Sequence, residues 1–83
     1  MARRLHYFAR ALVRVDGRLQ GREPLHFLSA QDAEDGGMML ARLADGAVAY
    51  QQLGDPENDI WDDPELLAVY GEVTAAQVWA AAA

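Results

Sequence analysis

The residues best equipped for chemistry in this chain are the six carboxylates of "GDPENDIWDDPE", Gly54 to Glu65: Asp55, Glu57, Asp59, Asp62, Asp63 and Glu65. A calcium loop is the first chemistry such a run suggests, because calcium takes about six to eight oxygen ligands and carboxylates at alternate positions supply them. Asp55, Glu57 and Asp59 alternate in that way. However, the loop position that needs glycine for its turn is Ile60, and the position that needs a bidentate glutamate is Leu66. His6 and His26 offer two imidazoles if they meet across strands. Zinc takes about three or four protein ligands, and the sequence identifies no third. No metal and no cofactor are expected.

Nucleophilic chemistry finds little support. Cysteine is absent, and Ser29 and Thr74 are better explained as helix caps. Gly36-Gly37 follows an acidic run that would repel phosphate, and no phosphate-binding lysine motif is present. No catalytic residue is expected, because no spacing singles out an acid–base pair.

Charge gives a stronger signal. Residues 1–22 carry six arginines (Arg3, Arg4, Arg10, Arg14, Arg18 and Arg22) against Asp16, a balance of +5. Residues 23–83 carry Arg42 against twelve acids, a balance of −11, and the two sum to the net −6. All the cations are arginine, the residue that pairs bidentately with carboxylates. Codon composition explains that bias better than selection for such pairing, but the charge division itself leads us to expect that the acidic run and the arginines answer each other. Asp59, Trp61 and Asp62 are expected to dock against Arg10, Arg14, Arg18 and Arg22, within the chain or between chains, with apolar burial driving the contact. Nucleic acid is not expected as a partner: no RNP-type string is present, and the net charge opposes an anionic polymer. No apolar run reaches the ~20 residues of a membrane span, and Arg10 and Arg14 interrupt any signal core, so no membrane partner and a cytoplasmic location are expected.

The elements that position these residues follow from periodicity. From Leu5 to Val15 the odd positions are all apolar, the mark of a half-buried strand. Asp16-Gly17 signals a hairpin, and Arg18 to Leu28, broken by Pro24, reads as an edge strand. A three-residue loop would pair Arg14 with Arg18, Arg10 with Arg22 and His6 with His26, keeping the apolar positions of both strands on one face. Ser29 opens a helix that runs to Asp45-Gly46, and Ala47 to Leu53 forms the third strand. Asp63-Pro64 reads as the start of a short helix ending at Gly71, and Thr74 with Gln77 forms a capping box for another. The predicted core is Leu5, Tyr7, Val13, Leu25, Phe27, Leu40 and Val48.

These readings define a single small α+β domain over residues 1–83, with residues 80–83 a frayed tail. It has a three-stranded antiparallel sheet in the order 2-1-3, one main helix on one face and one or two short C-terminal helices. The expected role of such a small bacterial-type domain is association with a protein partner or with itself, a homodimer being one form. The alternative is a small-ligand or metal-binding module using the loop 54–65.

Overall fold

The computed structural model describes residues 3–74 and 76–78. Its elements are β1 (Arg4–Val15), β2 (Arg18–Gly21), β3 (Leu25–Phe27), α1 (Ala30–Ala41), β4 (Gly46–Asp55), β5 (Ile60–Trp61) and β6 (Glu65–Gly71). A further turn of helix covers residues 76–78. The predicted fray at residues 80–83 lies outside the described residues.

The expected three-stranded sheet is incorrect. All six strands belong to one curled antiparallel sheet, a half-barrel. β1 and β4 form its centre, in register from Arg4↔Gly54 to Leu12↔Gly46. β2 and β3 lie end to end along the outer side of β1, and β5 and β6 along the outer side of β4. Each outer column is interrupted at a proline, once at Arg22-Glu23-Pro24 and once at Asp62-Asp63-Pro64. Proline cannot donate to a ladder, so both edges are blunted.

The segment from Asp63 to Gly71 is therefore strand and not helix. Its helix signals are local, whereas pairing along β4 from Gly46↔Gly71 to Gln51↔Glu65 is a tertiary gain that outweighs them. A register shift between Ala49 and Tyr50 leaves Leu67 as the extra residue of a bulge.

The hairpin register also differs from expectation. Asp16 (φ 51°) and Gly17 (φ 78°) form a two-residue turn with both residues left-handed, as a type I′ hairpin requires. Arg14 consequently faces Leu19, and Val15 faces Arg18. Beyond the break at Arg22–Pro24 the register slips by one residue, giving Tyr7↔Phe27 and Ala9↔Leu25. The slip resolves the parity conflict: Leu19 lies on the even-numbered face of β1, while Leu25 and Phe27 return to the odd-numbered face.

Helix α1 covers the odd-numbered face. Ser29 caps it, its hydroxyl accepting from the Asp32 amide at 3.1 Å. The sheet beneath is lined by Ala9, Ala47 and Ala49, all fully buried with Ala33 of the helix. Gly36 and Gly37 permit the close approach: a Cβ at Gly36 would run into the Phe27 ring, and one at Gly37 would stand 2.8 Å from the Tyr70 ring. The even-numbered face carries the larger core. Leu12, Val48 and Val78 are buried there against Leu19, Tyr50, Leu66, Val69 and Val73. The capping box is present: the Thr74 amide donates to Gln77 Oε1 at 2.9 Å, and the Gln77 amide to Thr74 Oγ1 at 3.2 Å.

The core thus differs from the predicted set. Val48 is buried, but Leu5 and Leu25 are exposed, and Tyr7, Val13, Phe27 and Leu40 are half-buried. Alanines let the helix backbone sit close to the sheet, which leaves little room for large side chains under it.

Candidate functional site

Over the half of the even-numbered face nearer Arg4, five rings gather: His6 and Phe8 from β1, His26 from β3, Tyr50 from β4 and Trp61 from β5. Register brings them together, since Phe8 faces both His26 and Tyr50 across its two neighbours. Gln52 stands opposite His6, and Trp61 reaches the face through its pairing with Gly54. Phe8 stacks on His26 at 5.1 Å and on Tyr50 at 5.2 Å between centroids. Trp61 meets His6 edge-on at 5.3 Å and Phe8 at 6.1 Å. Offset and edge-to-face contacts of this kind add modestly to the burial they accompany.

The polar groups of the cluster are few. His6 Nδ1 lies 3.4 Å from His26 Nε2, so one imidazole donates and the other accepts. His6 Nε2 is buried without a hydrogen-bond partner among the described residues. Burial raises the Tyr50 phenol above its ordinary pKa, and the Arg10 guanidinium partly opposes that. Arg10 Nε donates to the Arg22 carbonyl at 2.5 Å, with the guanidinium lying over Gly21.

Charge is segregated on this face. The even-numbered positions of β1 are Arg4, His6, Phe8, Arg10, Leu12 and Arg14, and their cross-strand partners Leu19, Gly21, His26, Gly46, Val48, Tyr50, Gln52 and Gly54 include no acid. Trp61, Leu66 and Val69 extend the face without adding one. Arginine, tyrosine and tryptophan together are the side chains enriched at the anchoring points of protein interfaces.

Within one chain the predicted site residues are not brought together. Trp61 does pack on the even-numbered face, against Phe8, but it retains 36% exposure and is not a buried anchor. Asp62 pairs with Arg3, the one ion pair within 4 Å among the described residues. Arg3 lies outside the four arginines to which the sequence pointed. Arg14 is held by groups at the far end of β1: its amide donates to Asp45 Oδ2 at 2.7 Å and its guanidinium to the Glu72 carbonyl at 3.3 Å. Arg18 is exposed in the edge strand β2, and Arg22 is exposed in the break after it.

The acidic run is a hairpin tip. Asp55, 6% exposed, accepts from the Glu57 amide at 3.1 Å and the Asn58 side-chain amide at 2.7 Å. Its carboxylate therefore folds the turn, and Asp59 takes the left-handed conformation (φ 52°) that closes it. Glu65 accepts from Gln51 Nε2 at 2.5 Å. A shallow, open depression between Leu5, Leu53, Pro64 and Leu66 is rimmed by Asp62, Asp63 and Glu65, two of which already have these partners. No group of three or more histidines, cysteines and acids able to hold a metal ion occurs among the described residues.

Sequence reasoning passed over His6, Phe8, Tyr50 and His26 as a unit. The signal was present in the period: Val48, Tyr50 and Gln52 alternate with Ala47, Ala49 and Gln51, and an antiparallel pairing with β1 sets Tyr50 beside Phe8. No family model, no curated protein and no solved structure matches this chain. No helix among the described residues is long and apolar enough to cross a membrane.

Proposed function

We propose that the protein acts by binding another polypeptide through the aromatic, acid-free part of its sheet, at Arg4, His6, Phe8, Arg10, His26, Tyr50 and Trp61. The observation that carries this reading is the mismatch between size and burial. Leu12 is the one large side chain fully buried among the described residues, whereas the ring cluster remains partly open. Large apolar groups collected on one face with arginines at the border have the composition of an interface core and rim. The edges are poor alternatives: the β2–β3 edge is short and broken at Pro24, and the β5–β6 edge is broken at Pro64 and bulged at Leu67. A cytoplasmic location goes with this reading. Nucleic acid remains outside it, because a net charge of −6 opposes a polyanion at any distance beyond direct contact.

The test is site-specific photo-crosslinking in cells. A photoreactive residue in place of Gln52, on the face, should give one discrete protein adduct that is lost when Trp61→Ala is added. The same group in place of Gln31, on the exposed side of α1, should give none. Equal labelling from both positions, or no adduct from Gln52, would sink the reading.

A further inference from the structure

We propose that the partner is a second copy of this chain, whose acidic hairpin tip at residues 56–60 docks onto the aromatic–arginine face in a head-to-tail contact. This rests on the reading of that face as a protein-binding surface and names its occupant. Three observations converge on it.

First, the face lacks acid while the rest of the chain has a surplus. Its β1 arginines Arg4 and Arg10 contribute +2 of a total of −6, leaving −8 elsewhere. Second, the tip has the complementary chemistry. Glu57 and Asp59 are exposed, and the adjoining Ile60 is half exposed, an apolar group beside two carboxylates. The Asp55 bonds to Glu57 and Asn58 hold the turn in one shape, so docking would cost little ordering. Third, a copy cannot use its own tip. The tip follows Asp55, one residue past the rung where Gly54 faces Arg4. Arg10 lies six residues further along β1, about 20 Å at strand rise.

A symmetric dimer stacked face on face does not satisfy the charges. It would set arginines against arginines with no carboxylate from either face between them, and like charges juxtaposed at an interface are costly. The contact is therefore heterologous: the surface given and the surface received are different patches. Such contacts build closed rings or open chains and not isolated two-fold dimers.

The experiment is sedimentation of the full chain and two variants, alone and mixed, with a melting curve confirming that each is folded. The face variant is Arg4→Glu with Arg10→Glu, or Arg4→Glu alone if the double change does not fold. The tip variant is Glu57→Arg with Asp59→Asn, which suits the left-handed position. The parent chain should grow in mass with concentration and weaken by about tenfold or more at high salt, since its charges are screened. Each variant alone should remain a monomer. Their equimolar mixture should form a dimer and nothing larger, because one intact face and one intact tip remain in the pair. A parent chain that stays monomeric overturns the inference, and a Gln52 adduct to a different protein would then leave the binding face standing. A parent chain that associates while either variant alone associates equally well, or while the mixture stays monomeric, overturns the head-to-tail contact and leaves self-association intact.

Discussion

The two faces of the sheet are covered by opposite strategies. On the odd-numbered face small side chains are sealed: Ala9, Ala47 and Ala49 are fully buried because α1, with Ala33 and Gly37 against them, comes close enough to exclude water. On the even-numbered face large side chains are covered in part. Val73 and Val78 close over Leu12 and Val48, and nothing described closes over Phe8, Tyr50 and Trp61. Burial here follows the covering element more than side-chain hydrophobicity. A face of alanines can be completely dry, and a face of aromatics can remain half wet. The wet half is where apolar area is left for a partner.

Substitutions can break or sharpen this contrast. The largest effect is expected for Leu12→Ala, which opens a cavity beside Val73 and Val78 and should cost about 2–5 kcal/mol by chemical denaturation. A cost below that of an ordinary surface change would mean that the even-numbered face has no core of its own. Next is Ala49→Leu, which forces a large side chain between the sheet and Gly37; overpacking should cost about 1–3 kcal/mol. A neutral result would show that the helix stands further off than described. Trp61→Ala should be milder, about 1–2 kcal/mol, because the ring is only partly buried. It should still exceed Asp62→Asn, whose partner Arg3 is well exposed and whose pairing contributes about 0–1 kcal/mol. The smallest effect is one of pH. The Tyr50 phenol is raised above 10.0 in the fold, so the stability it contributes is fully present below pH 10 and is lost as pH climbs through the raised value. Tyr50→Phe should therefore leave neutral stability nearly unchanged and flatten the alkaline decline in melting temperature. An unchanged alkaline slope would show that the ring is as solvated as a free phenol.

Much of the scaffold was legible from periodicity. The alternation in Leu5–Val15, the Asp16-Gly17 turn, the Ser29 cap and the Thr74–Gln77 box are local signals, and the structure contains each. What the sequence hid depends on distant pairing. "DDPELLAVYG" has proline at a helix start, glycine at a helix end and good helix formers between, yet it completes the sheet because β4 offers it a ladder. The hairpin register departs from expectation for a related reason. A continuous second strand would have required a three-residue loop to keep its apolar residues on one side, whereas the break at Pro24 permits a slip midway. Within one chain, distance keeps the acidic run from the four arginines. The run follows β4, which ends beside Arg4, so Arg3 receives Asp62 while Arg14 and Arg18 lie at the other end of a molecule 41 Å long. Charge division along a sequence says which groups can pair but not whether the strands between them are too long.

The most direct test of the open face is a dilution series followed by NMR, reading every residue in the same sample. As concentration rises, the resonances of His6, Phe8, Arg10, Tyr50 and Trp61 should shift together with those of Glu57, Asp59 and Ile60. Those of Ala33, Ala47 and Ala49 should stay fixed. Shifts centred on the exposed side of α1, or no shift anywhere up to millimolar chain, would contradict the assignment of a second copy of the chain as the partner of the aromatic face.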